Sequence, residues 1–200
     1  MPTLDALLKM SFYISLVLIM PGPTNTLLLA AGLKAGIRVT WPLVVAEALG
    51  YVVAISLWGF FLSSIARKSP WIYSGVKLLS SAFIFYLAVE MWAKGSKLQQ
   101  HASGPVSFKN LFVATLMNPK ALLFASTIFP LAAFQSAGYF AHAIAAFLLV
   151  LLPVGVGWSS LGGLITSNRR WASRAFALLR CASVVLLMFS GTLAYSALNR

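Results

Sequence analysis

Long apolar segments separated by short polar ones dominate the chain. No formal charge interrupts the stretch between Lys9 and Lys34, or the stretch between Lys120 and Arg169. A membrane-spanning helix needs about 20 consecutive, mostly apolar residues. The stretch after Lys120 is too long for one span, and residues 133–138 carry the breaker residues of a turn. The pattern therefore predicts an all-α membrane protein with six transmembrane helices, at about 6–33, 42–65, 71–92, 108–134, 139–166 and 176–198.

The longest polar segment, residues 94–107, divides the chain into two similar halves. It lacks apolar periodicity, which is typical of a loop. We therefore predict a single transmembrane domain over 1–200, with repeat 1 at about 1–93 and repeat 2 at about 108–200. Because each half holds three predicted helices, the second half enters the membrane from the opposite side. Such inverted repeats are common among secondary transporters.

The composition excludes a water-soluble globule. Hydrophobic residues make up 60% of the chain and charged residues 9%, whereas soluble domains average about 25% charged residues. The net charge of +12 comes from basic residues placed between apolar runs, not along one stripe. That placement favours anchoring beside anionic lipid over binding to nucleic acid. We therefore expect a lipid bilayer as the partner and no nucleic acid.

Helix 1 carries the motif Pro21-Gly22-Pro23-Thr24-Asn25 within its apolar run. The two prolines remove two helical N–H donors and the glycine loosens the backbone, so the helix must break at membrane depth. Broken backbone at that depth is tolerated where it is packed in protein or lines a wet cavity. The helix that restarts at Thr24 points free N–H groups and a positive dipole end into this cavity, which suits a carboxylate. The alternative is a purely structural kink.

Helix 4 carries a corresponding interruption, Asn118-Pro119-Lys120. It too is the first helix of its half, and paired interruptions at corresponding positions indicate the binding site of a transporter. Lys120 adds a cation beside the break. An ionisable residue at membrane depth is a functional hypothesis by default. The alternative is a lysine that snorkels from near a helix end.

Glu47 lies about two turns into predicted helix 2. Burial opposes the charged form of a carboxyl group, which makes this residue a candidate proton carrier. The alternative is a structural salt bridge, for instance to Lys120.

The residue types that an enzyme or a metal centre needs are scarce. The chain contains two His, one Cys and three acidic residues, from which no convincing catalytic or metal-binding cluster can be assembled. We therefore expect no catalytic residues, no metal, no cofactor and no enzymatic activity. A membrane-embedded enzyme and a passive channel for small polar solutes are the alternative functions. The paired breaks and inverted halves argue against the channel.

One set of residues carries a family resemblance across the whole chain. They are Pro21, Gly22, Pro23, Asn25, Gly36, Gly50, Asn118, Pro119, Lys120, Ala121 and Pro130. In their order, and in the chain length and number of apolar segments, they resemble the LysE/RhtB family of amino-acid exporters. The resemblance implies efflux of amino acids or close derivatives across the bacterial cytoplasmic (inner) membrane, driven by the proton gradient. The chain departs from the family pattern at Ala46, Glu47 and Tyr51.

We therefore expect a secondary exporter of small amino-acid-like solutes. The ends of the broken helices and Lys120 are expected to hold the substrate carboxylate, and the amides of Asn25 and Asn118 to supply hydrogen bonds. Glu47 is expected to exchange the proton. The sequence leaves undecided whether the protein forms a homo-oligomer. Gly32-x-x-x-Gly36 has the spacing of a helix-packing motif but lies at a helix end.

The basic residues of the loops predict the orientation. Eight follow predicted helices 1, 3 and 5, and four lie on the opposite side. Loops rich in Lys and Arg face the cytoplasm. Both termini are therefore expected outside.

A topology reporter tests this orientation. A reporter fused after Gln99 should be active only in its cytoplasmic form, and one fused after Arg200 only in its external form. A cytoplasmic reading after Arg200 would contradict the orientation or the count of six helices.

Overall fold

The computed structural model describes residues 2–35, 37–68, 70–94 and 106–167, together with nine positions between 184 and 198. All regular secondary structure in these residues is helical. The helices in chain order are α1 (Leu4–Ile19), α2 (Pro23–Ala35), α3 (Ile37–Lys68), α4 (Pro70–Lys94), α5 (Phe108–Leu116), α6 (Pro119–Leu123), a π-helical turn (Phe124–Ile128), a 3-10 helix (Leu131–Gln135) and α7 (Ala137–Ser167).

Two of these helices, α3 and α7, are long and apolar enough to cross a membrane alone. Two further pairs of helices are long and apolar enough to cross a membrane if each pair is counted as one bent span. They are α1 with α2, bent by 61°, and α5 with the segment Pro119–Ile128, bent by 45°. By length and composition, the described part of the chain therefore holds up to four spans. Predicted helix 3 coincides with α4, and most of predicted helix 6 lies outside the described residues.

The structure differs from the predicted boundary between helices 1 and 2. The pattern predicts a loop before residue 42, but α2 continues to Ala35 and α3 already begins at Ile37. Pro42 therefore lies inside α3, near its start. A proline there removes only the hydrogen bond to the carbonyl four residues earlier, and the helix runs through it.

Predicted helix 4 is also less regular than expected. It breaks after Leu116, as predicted, but it does not continue as an α-helix to residue 134. The N–H of Phe129 donates to the carbonyl of Phe124 at 2.9 Å, which is the wider π-helical spacing. Pro130 follows, and the 3-10 helix separates the π-helical turn from α7, which begins at Ala137. The predicted turn before helix 5 is thereby confirmed.

Glycines allow α2 and α7 to pack with their backbones in contact. A Cβ atom on Gly162 of α7 would overlap the backbone of Leu29 in α2, and one on Gly32 of α2 would overlap the backbone of Ser159 in α7. Close packing at small residues is the usual way in which membrane helices associate. Gly32 belongs to the Gly32-x-x-x-Gly36 motif that was considered for a homo-oligomer. In the structure this glycine packs against α7 of the same chain.

Helix α3 positions the centre of the structure. It packs against α2, α4, α5, α6 and α7. At Gly50 it meets α5 so closely that an added Cβ would lie 3.0 Å from the carbonyl oxygen of Phe112. Both broken segments are therefore held against the same helix.

The contact between α2 and α7 predicts a clear difference between two glycines of α7. Gly162→Ala must push α2 away and should lower the free energy of unfolding by about 1–3 kcal/mol. Gly157→Ala is the matched control, because a Cβ there meets no atom within 4 Å and alanine favours the helix by about 0.5–1 kcal/mol. Unfolding of the purified proteins in a dodecyl sulfate titration, followed by circular dichroism, measures both. Equal stability of the two variants would contradict the close packing.

Candidate functional site

The first break lies between α1 and α2, and Asn25 stabilises it. Its side-chain nitrogen donates to the carbonyl oxygens of Leu18 and Met20, at 2.6 Å each. These carbonyls lie at the end of α1, where the helix can no longer supply N–H partners. Asn25 is buried, so its amide hydrogens satisfy backbone groups that water does not reach.

The second break lies between α5 and α6, and Asn118 connects it to the first. Its side-chain oxygen accepts from the backbone N–H of Lys120 at 3.0 Å, which caps α6. Its side-chain nitrogen donates to the hydroxyl of Tyr51 at 2.9 Å and to that of Thr24 at 3.4 Å. One amide therefore links α6 to α2 and to α3.

Lys120 reaches from the second break to the first. Its ammonium donates to the carbonyl oxygen of Met20 at 2.7 Å, and its side chain is 1% exposed. A Cβ atom on Gly22 would lie 3.0 Å from Nζ, so the glycine leaves room for this side chain. The lysine points into the protein, which excludes snorkelling towards a membrane surface.

Glu47 lies at the same centre and is completely buried. Among the described residues, no donor forms a hydrogen bond of standard geometry with either carboxylate oxygen, although the Thr24 hydroxyl lies beside them. Lys120 is near enough to interact electrostatically but forms no ion pair with Glu47. The expected alternative of a direct Glu47–Lys120 salt bridge is therefore wrong, because the ammonium is bound to a backbone carbonyl instead.

Tyr51 is the main member of the site that the motifs did not identify. Its ring lies 5.6 Å from that of Phe124 and 5.6 Å from that of Phe147, both in edge-to-face contact. Its hydroxyl reaches Asn118 at the breaks. The spacing from Glu47 to Tyr51 is i,i+4, which places the two side chains on one face of α3. This i,i+4 spacing is the feature of the sequence that could have identified Tyr51 as a member of the site.

The structure brings the predicted polar residues together and places the prolines around them. Thr24, Glu47, Asn118 and Lys120 are all buried. Pro23 begins α2 and Pro119 begins α6, and both are exposed. Pro21 and Gly22, which precede α2, are half-buried. The prolines therefore act on the backbone of the breaks, whereas the polar side chains form the interior of the site.

Glu47 also faces α7. A Cβ atom on Gly155 would lie 3.3 Å from Oε2 of Glu47 and 3.0 Å from a methyl group of Val44. Because Gly155 carries no side chain, α7 presents its backbone to the carboxylate at this position. The site is thus enclosed by α2, α3, α6 and α7.

Comparison with known proteins identifies the family of the chain. An uncharacterized membrane protein of Pseudomonas aeruginosa, PA4757, is 28% identical over 123 residues, which are 56% of this chain and 57% of that protein. The matched part thus spans little more than half the length of that relative. No solved structure matches the chain. The LysE type translocator family matches residues 15–197, nearly the whole sequence. The chain is therefore a membrane protein that belongs to the LysE type translocator family.

Proposed function

We propose that the protein exports amino acids or close derivatives across the bacterial cytoplasmic membrane by proton antiport. The observation that carries this proposal is the buried polar centre at which the two helix breaks meet α3. A lysine and a glutamate lie there, and neither is exposed. Ionisable groups at membrane depth are costly and mark substrate or proton pathways.

The substrate carboxylate is proposed to bind at Lys120. An ammonium group can donate three hydrogen bonds, and the carbonyl of Met20 accounts for one of them. The start of α2, at Pro23 and Thr24, adds the positive end of a helix dipole. The polar side chains of Asn118 and Thr24 can orient the bound molecule by hydrogen bonds.

The remaining predicted site residues are proposed to build the break itself. Pro21, Gly22, Pro23 and Pro119 interrupt the helices. Asn25 holds α1 and α2 together, since its amide hydrogens are bound to α1. These residues contribute to substrate binding by keeping the backbone open at the site.

Glu47 is proposed to carry the coupling proton. A buried carboxylate without hydrogen-bond donors is unfavourable, so uptake of a proton relieves that cost. Release of the proton requires a change of surroundings, which a change of access provides.

The architecture proposed for transport is six transmembrane helices in two inverted three-helix repeats. Its support is the occurrence of a bent helix pair at the start of each half: α1 with α2, and α5 with the segment after it. In transporters of this kind one repeat moves against the other around a central site. The bonds from Asn118 and Lys120 across the halves would then be remade in each cycle.

The first test is metabolite release from cells that overproduce the protein. Wild-type protein should accelerate the loss of one or a few amino acids, and collapse of the proton gradient should slow it. Lys120→Met should lower that export about tenfold or more, since a hydrogen bond to a charged group contributes about 1.5–3 kcal/mol. Folded yield is measured in parallel, because the Met20 carbonyl loses a partner.

Lys9→Met is the matched control. The Lys9 ammonium is exposed and pairs with Asp5 at 2.9 Å, so export should match the wild type. Full export by well-folded Lys120→Met would contradict the carboxylate site. Export that ignores the proton gradient would indicate a passive channel.

The second test restores a continuous first helix. Pro21→Ala combined with Pro23→Ala returns two backbone N–H donors to the break and should abolish export while the protein still inserts into the membrane. Pro153→Ala is the control, because that proline lies inside the unbroken helix α7 and is exposed. Normal export by the double variant would show that the break has only a structural role.

A further inference from the structure

The two buried ionisable groups of the site differ in how well they are satisfied. The Lys120 ammonium donates to the carbonyl of Met20. The two carboxylate oxygens of Glu47 accept no hydrogen bond of standard geometry in the described part of the chain. Buried polar groups are almost always hydrogen-bonded, and an exception requires an explanation. Among the described residues, Glu47 therefore lacks a hydrogen-bond donor of standard geometry, and a group from outside the chain can supply one.

The surroundings of Glu47 limit what that partner can be. The charged or titratable groups that interact with it are Lys120 of α6 and Tyr51 of its own helix. The Thr24 hydroxyl of α2 lies beside the Glu47 carboxylate, and the backbone of α7 approaches it at Gly155. The Thr24 hydroxyl is the donor nearest to the carboxylate, but none of these groups forms a hydrogen bond of standard geometry with it. A proton or a small cation with hydrogen-bond donors can satisfy it.

We infer that Glu47 binds the ammonium group of the exported amino acid, and that this ammonium and the coupling proton exclude each other from the same carboxylate. The inference rests on the proposed function. It defines the substrate class as zwitterions with a free amino group. The carboxylate of the zwitterion lies towards Lys120, and its ammonium lies towards Glu47.

The separation between Glu47 and Lys120 supports this assignment. The two side chains interact electrostatically without forming an ion pair. An α-amino acid carries both complementary charges on groups attached to one carbon, so a single molecule offers a partner to each of the two side chains. A carboxylic acid without an amine, or an amine without a carboxylate, would leave one of them without its partner.

Mutual exclusion accounts for antiport in simple steps. On the cytoplasmic side the protonated carboxyl of Glu47 loses its proton to water as the substrate ammonium takes its place. On the outer side a proton displaces the ammonium and the zwitterion leaves. One proton enters for each substrate exported, and no bond of the substrate is broken. Because a zwitterion is neutral, each cycle moves one positive charge inwards.

Proteoliposomes containing the purified full chain test the inference. The lumen holds an equimolar mixture of the twenty proteinogenic amino acids and their N-acetyl derivatives, the outer medium is acidified, and mass spectrometry measures what leaves. The N-acetyl derivatives keep the carboxylate but lose the ammonium. We expect the exported amino acid to leave about tenfold or more faster than its N-acetyl form, together with proton entry measured by a lumenal pH dye.

Variants of Glu47 separate binding from a structural role. Glu47→Gln keeps the shape but cannot lose a proton, so both the proton entry and the preference for the free amine should disappear. Glu47→Asp should keep the preference at a lower rate. If Glu47→Gln does not fold, the kinetics of the wild-type protein test the inference. When protons and substrate compete for Glu47, acid on the substrate side raises the KM for the amino acid without lowering the maximal rate of export.

The outcomes distinguish this inference from the function on which it rests. Equal export of free and N-acetylated amino acids with proton entry intact would overturn the ammonium site and leave proton-coupled export standing. A maximal rate that falls with acid at constant KM would also overturn the competition. Release of none of the amino acids above protein-free liposomes would overturn the proposed function itself.

Discussion

The structure depends on how backbone groups are satisfied where a helix breaks inside an apolar bundle. Pro21 and Pro23 leave the carbonyls at the end of α1 without helical partners, and water does not replace them there. Side chains do so instead. Asn25 binds two of these carbonyl groups from within the same half, and Lys120 binds the Met20 carbonyl from the other half. The first break is thus completed by a residue of the second.

Because of this dependence, the two breaks form one unit with α3. Asn118 caps α6 and also donates to Tyr51 of α3 and Thr24 of α2. A movement of one half relative to the other must exchange these bonds. Glycines allow the required proximity: Gly22 leaves room for the Lys120 side chain, and Gly162 brings α7 onto the backbone of α2. The same contacts that stabilise the fold therefore assemble the site.

The two ionisable side chains of the site differ in how well they are satisfied, and the proposed transport function rests on this difference. The ammonium of Lys120 has a carbonyl partner, whereas the carboxylate of Glu47 accepts no hydrogen bond of standard geometry from the described residues. Here a proton or a substrate ammonium would satisfy that carboxylate. The ring of Tyr51 packs against those of Phe124 and Phe147, next to this polar centre.

The amino-acid sequence by itself determined the apolar helices, the positions of both breaks and the residues that carry charge into the interior. Each of these follows from a local property: the length of an apolar run, the missing N–H of proline, or the lack of nearby charges. It did not determine the start of α3, because Pro42 only weakens a helix near its beginning. Nor did it identify the partner of Lys120 or the role of Tyr51. Only the tertiary structure decided these, since Met20 and Lys120 lie 100 residues apart and Tyr51 and Asn118 lie 67 apart, and helix packing alone brings such distant groups within hydrogen-bond distance.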